Sequence, residues 1–315
     1  MKYRGFLLLI LILCVQASAK VRLLTFHYNK SDFLELQIQS FRKFFLDDFE
    51  LLVFNDASNP EYEYAIRETC EKYGIECIRY QQEWHKTDPL TKYIFDWVNN
   101  PNLLGTYCGL YKDTPFDNVA GFPSVRHCHV IQYALDHFGY DHDDIVAIID
   151  GDVFAIKPVS LRALLSQKKL IGAYKSKNDA KYIWVPFAAA DMRTLPNKRD
   201  LKFYLDVIEN NLYDSGSHTH YYLLNNPNVP VGKYYFYSST QFVPLSENKL
   251  GKQPFKQREK ELIRILLNMT DVEFHIDFHF LHFVGSSWHA GESPDARYSK
   301  TQWVKELMKS VLYDE

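Results

Sequence analysis

The chain has 315 residues, 46% of them hydrophobic and 24% charged, which is enough apolar material to bury a large core. Its 36 Lys and Arg against 39 Asp and Glu leave a net charge of −3, with the two signs interspersed. This excludes the single-sign field that draws a chain to nucleic acid or to an acidic membrane surface.

The first segment, 1–19, reads as an export signal. Lys2 and Arg4 precede an apolar run from Phe6 to Val15, and Ala17-Ser18-Ala19 supplies a small-residue cleavage site after Ala19. The run falls short of the about 20 apolar residues that a membrane span requires, so an uncleaved anchor is the weaker alternative. The expected location is the secretory-pathway lumen or the outside of the cell, with membrane contact only if the segment stays attached. Loss of Cys14 with the signal leaves four cysteines, an even number that permits disulfides, and Cys70 and Cys77 are the first candidates for a pair. Asn29 and Asn268 begin glycosylation sequons.

From residue 20 onward no repeat or linker marks a boundary, so one domain over 20–315 is expected. Val21 to Phe26 is a branched, apolar strand. Asp32 to Phe45 then carries apolar residues at helical spacing behind a Ser31 or Asp32 cap. Strand Phe49 to Phe54, helix Glu61 to Tyr73 and strand Glu76 to Tyr80 complete a β-α-β-α-β run, the pattern of a Rossmann-like, mostly parallel sheet with helices on both faces. A long irregular excursion follows, punctuated by Pro101, Gly105, Gly109, Pro115 and Gly121. Ser124 to Phe138 reads as a helix leading into Asp144 to Ile149, a strand without alternation and hence buried on both faces. Beyond about residue 161 the chain reads as a mixed half, with aromatic strands and helices at Lys198 to Asn210 and Gln257 to Asn268.

Asp150-Gly151-Asp152 lies directly after the buried strand, at the carboxyl edge where open α/β sheets bind ligands. Two carboxylates around one glycine suit a hard divalent cation, Mn²⁺ or Mg²⁺, whose shell a diphosphate completes. The later ligands of an EF-hand are missing. Two acids so close on one strand end also cannot flank a glycosidic bond as a hydrolase requires.

In these motifs the sequence resembles the metal-dependent glycosyltransferases of the GT-A fold. Ile148-Ile149-Asp150-Gly151-Asp152 is similar to their Asp-x-Asp signature. Val53-Phe54-Asn55-Asp56-Ala57-Ser58 is similar to the strand end whose acid, here Asp56, contacts the nucleotide base, and Thr25-Phe26-His27-Tyr28 to the loop around the same nucleotide, which implies donor contacts for Thr25 and His27. Leu281-His282-Phe283-Val284-Gly285-Ser286-Ser287-Trp288 is similar to the glycogenin-like His-Phe-x-Gly pattern followed by a Trp. This implies His282 as third metal ligand beside Asp150 and Asp152, and Gly285 and Trp288 near the donor. The Lys-Pro that precedes that Trp in glycogenin-like enzymes is missing, and His289 is the nearby substitute. His275 and His279 read as structural.

Arg126, at a helix start, suits a phosphate or the donor-sugar hydroxyls, or else an ion pair with Asp136 or Asp141. On the acceptor side Trp184 is a stacking candidate, and Asp214 and Asp191 compete as the base that takes a proton from the acceptor hydroxyl. The implied activity is transfer of a hexose from a nucleotide sugar, a uridine diphosphate sugar first, to a hydroxyl of a glycan, glycoprotein or glycolipid. The alternatives are a silent carbohydrate-binding protein of the same fold, or a nucleotidyltransferase, which needs a Gly-rich basic loop where this chain has His27-Tyr28-Asn29-Lys30.

Overall fold

The computed structural model describes residues 20–100, 115–177, 180–234, 236–238, 247–284 and 294–313. The expected signal at 1–19, much of the irregular excursion, and Gly285, Trp288 and His289 lie outside the described residues. Among the described residues no helix is long and apolar enough to cross a membrane.

The fold class is the expected α/β one, with a seven-stranded, mostly parallel central sheet. Its strands are β1 (Val21–His27), β2 (Phe49–Asn55), β3 (Glu76–Arg79), β4 (Ile145–Asp150), β6 (Leu170–Lys177), β7 (Ala180–Asp191) and β10 (Val231–Tyr234), in the order β10-β6-β7-β4-β1-β2-β3. β1 runs parallel to β2 and β4, while β7 is antiparallel to β4 and β6. A second sheet, β11-β12-β13-β5, joins β11 (Phe236–Ser238), β12 (Val272–His275) and β13 (Phe280–Phe283) to the short β5 (Val153–Ala155) in antiparallel register.

Side-chain alternation along the central strands feeds two cores. Val21 and Leu23 of β1, with Ile145, Ala147 and Ile149 of β4, pack with Phe33, Ile38 and Phe41 of helix Ser31–Phe44. Leu24 and Phe26, with Val146 and Ile148, pack on the opposite side with Val130, Ile131 and Ala134 of helix Pro123–Ala134. A strand covered on both faces has no polar face to show, which is why β4 lacks alternation in sequence. Helices Gln257–Leu267 and Pro294–Tyr313 add Leu262, Ile263, Val304 and Leu307 to the first core.

Several local expectations are corrected. The expected helix Lys198 to Asn210 is a single 3-10 turn, Lys198–Asp200, followed by extended chain and the hairpin β8 (Val207–Ile208) and β9 (Asn211–Leu212). Leu201, Phe203 and Leu205 are buried while Lys202 and Tyr204 between them are partly exposed, a period of two. Glu209 and Asn210 both take positive φ, 48° and 62°, as the two-residue turn of a tight hairpin demands. Helix Ser31–Phe44 starts after Lys30 without a side-chain cap, and Asp32 instead pairs with Lys305 at 2.7 Å. Cys70 and Cys77 lie side by side, but both thiols are free.

Candidate metal centre and donor site

β4 ends the central sheet at Asp150, and β5 begins the second sheet at Val153, so Asp150-Gly151-Asp152 is the hinge between two sheets. The hinge is pinned from behind. Gln37, fully buried on helix Ser31–Phe44, donates from Nε2 to the carbonyls of Asp150 (2.7 Å) and Val153 (2.8 Å). Its Oε1 accepts from Thr25 Oγ1 at 2.7 Å and lies 3.1 Å from His27 Nε2.

β13 pairs with β5, placing His282 opposite Val153, and Phe283 N donates to Asp152 O at 3.0 Å. These contacts bring the imidazole to the acidic turn: His282 Nε2 lies 3.5 Å from Asp152 Oδ1. One ligand atom each of Asp150, Asp152 and His282 falls within 4.8 Å of the others. Ligands bound about 2.1–2.3 Å from one cation stand roughly 3–4.5 Å apart, so the three fit a single divalent ion, and two carboxylates with an imidazole suit Mn²⁺. Behind His282, Glu273 Oε2 lies 3.1 Å from its Nδ1.

The charge states follow from this packing. Burial opposes a charge on His282, yet the hydrogen bonds and charges of Asp152 and Glu273 raise its pKa to about 10. Burial also raises Asp150 above the usual carboxylate range. His127, missed in the sequence although it adjoins Arg126, puts Nε2 2.9 Å from Asp150 Oδ1. A cation bound by Asp150, Asp152 and His282 would displace the His282 proton.

Asp56 sits in a second polar group nearby. Its Oδ1 accepts from His85 Nε2 (2.7 Å), Arg126 Nη2 (2.9 Å) and Gln82 Nε2 (3.0 Å), and the Arg126 guanidinium lies over the Tyr28 ring at 4.9 Å. The partner of Arg126 is therefore neither Asp136, which pairs with Lys202, nor Asp141, which pairs with Arg199.

Other expected site residues fall elsewhere. Thr25 and His27 are 0% and 1% exposed on the side of β1 that faces Gln37, so their side chains hold the turn and cannot reach a donor. Asp191 is paired with Ile145, at the end of β4 opposite Asp150, and its carboxylate accepts from Arg193 N and Thr194 Oγ1, which makes it a turn cap. Trp184 is 8% exposed; Lys175 Nζ sits 3.4 Å from its ring centroid, and the rings of Phe236 and His282 lie at 5.7 and 5.6 Å, leaving no face for a sugar. Its indole donates to Asp214 Oδ2 at 3.1 Å, while Ser124 Oγ donates to Oδ1 at 3.1 Å. Asp214 thus stays on the site side, with its charge felt at His127, but both its oxygens are engaged. Lys175, 3.8 Å from Asp214 and held by burial below the usual ammonium range, belongs to no sequence motif.

His27 carries a pH prediction. Burial, only partly offset by its hydrogen bond to Gln37 and by the charges of Asp152 and Asp32, lowers its pKa to about 4. The unfolded chain, with an ordinary imidazole, binds this proton first, so the stabilising contribution of neutral His27 is complete above pH 6.5 and is lost as pH falls toward 4, a loss of about 3 kcal/mol. Urea titrations across this range are expected to show that slope in the wild type and not in His27→Gln; equal slopes would remove His27 as its source.

No family model matches the chain, and no curated protein sequence matches it. Solved structures do. The galactosyltransferase LgtC in complex with donor and acceptor sugar analogs is 13% identical, with 92% of this chain and 96% of that one covered at a TM-score of 0.44. The mannosyltransferase PcManGT from Pyrobaculum calidifontis, in complex with GDP-Man and Mn²⁺, is 12% identical, with 93% and 72% covered at a TM-score of 0.39. The chain spans 33% of the WbbM bifunctional glycosyltransferase, of which 58% of this chain is aligned, at 8% identity and a TM-score of 0.33.

Proposed function

We propose that the chain is a divalent-metal-dependent glycosyltransferase that moves a hexose from a nucleotide sugar, a uridine diphosphate sugar first, to a hydroxyl of a glycan, glycoprotein or glycolipid. The observation that carries this reading is the convergence of Asp150, Asp152 and His282 at the mouth of the central sheet, with Asp56 and Arg126 grouped beside them. Mn²⁺ or Mg²⁺ held by these three ligands would neutralise the charge that develops on a departing nucleoside diphosphate.

The chain's own residues do the rest. Gln37 fixes the backbone that carries both carboxylates. Asp56, oriented by His85 and Arg126, is offered to donor groups of a base. Asp214, held by Ser124 and Trp184 and with its charge felt at His127, takes the place of proton acceptor in this reading. The proposed location is the secretory-pathway lumen or the exterior, as the expected export signal at 1–19 implies.

Titration of the protein from residue 20 onward with uridine and guanosine diphosphate sugars, first with Mn²⁺ and then with chelator, tests this. The expected result is metal-dependent binding of one nucleotide and slow hydrolysis of its sugar when no acceptor is present. Binding of free sugar that ignores both nucleotide and chelator would instead identify a silent carbohydrate-binding protein.

A further inference from the structure

Resting on the metal reading above, the geometry points to Glu273 as a positioning residue of the metal centre: it locks the His282 ring so that Nε2 alone is presented to the ion. A carboxylate on the buried strand β12, between the core residues Val272 and Phe274, is costly unless its charge is used. Glu273 stands directly across from His282 in the β12–β13 register. Its Oε2 lies 3.1 Å from His282 Nδ1 and 3.0 Å from His275 Nε2.

An ionised carboxylate only accepts, so both facing nitrogens must carry hydrogen. Nδ1–H of His282 is thereby assigned, and Nε2, which faces Asp152, is the nitrogen left to give up its proton and take a cation. His275 holds the same oxygen from the other side. It is fully buried and stacks on Phe236 with ring centroids 5.1 Å apart, so the carboxylate is gripped between two imidazoles and cannot swing away. His275, read from sequence as structural, then acts on the ion through two intermediaries. The three residues Glu273, His275 and His282 also meet the spacing of a ligand set by themselves, which makes the identity of the metal-bound nitrogens the decisive observation.

The test is Mn²⁺ binding, followed by the electron paramagnetic resonance of the free ion, for wild type and Glu273→Gln. Glutamine keeps the shape and an accepting oxygen but lacks the negative charge, so its hold on the two imidazole N–H groups is weaker. Weakening of roughly 10- to 100-fold is expected, with the melting temperature of the metal-free protein nearly unchanged. Wild type that binds no Mn²⁺ would overturn the site reading and this inference together. Equal affinity in the two proteins would overturn this inference alone. Should the variant not fold, the ¹⁵N histidine spectrum of the wild type with Cd²⁺ decides: the expected pattern is metal on His282 Nε2 and hydrogen on its Nδ1, whereas metal on His282 Nδ1 or His275 Nε2 would show Glu273 to be a ligand and end its positioning role.

Discussion

Asp152→Ala is expected to lower Mn²⁺-stimulated turnover of the donor by at least about 10³-fold, equivalent to about 4 kcal/mol of transition-state stabilisation. The carboxylate faces His282 Nε2 at 3.5 Å and would supply one of the two negative charges around a bound cation. The backbone of residue 152 has a separate task, since its carbonyl accepts from Phe283 N and ties β5 to β13. Truncation of the side chain leaves that bond in place, so circular dichroism and the melting temperature should change little while the metal dependence disappears. Undiminished turnover would remove Asp152 from the site.

Gly151→Ala should do both kinds of damage. A Cβ at this position would stand 2.3 Å from Phe26 O, with the His27 ring at 3.0 Å. The nearer obstacle is backbone of the central strand β1, paired on both sides, which cannot turn aside as a flexible side-chain end can. The hinge itself must move, against the two Gln37 bonds that hold it. Overpacking of this type costs about 1–3 kcal/mol, and the displaced hinge separates the two carboxylates from His282. The expected outcome is a lower urea midpoint together with loss of Mn²⁺ binding. Normal metal affinity in a destabilised Gly151→Ala would show that the ligands tolerate the shift and that the glycine serves packing alone.

Local signals carried the central part of the molecule. An apolar run without alternation announces a strand covered on both faces, and the acids after it had to emerge at the carboxyl edge, as Asp150 does. Errors arose where the deciding partner is distant. The charged residues of 198–202 obscured the alternation of Leu201, Phe203 and Leu205 and suggested a helix. The side that Thr25 and His27 face is not written in their own segment, because only the pleat of β1 relative to helix Ser31–Phe44 turns them toward Gln37. The position of Asp191 depends on strand direction, which its own segment does not carry; β7 runs against β4, so its last residue meets the first of β4. Trp184 reads as a free aromatic until Lys175 and His282 are brought against it. Glu273 has no sequence signal at all, since its meaning lies in the register that sets it opposite His282.

The hinge between the two sheets also bears on the order in which the protein comes into being. Two of the proposed metal ligands leave the ribosome at the end of β4, but the third belongs to β13, far down the chain, and reaches them by the pairing of β13 with β5. A nascent chain can close the parallel half around Val21 to Asp150 while the cation site is still short of its imidazole, and β5, three residues long, has only β13 as its sheet partner among the described residues. Metal capture therefore reports completion of the last antiparallel sheet, so a cation in the folding compartment would favour fully synthesised chains over stalled ones.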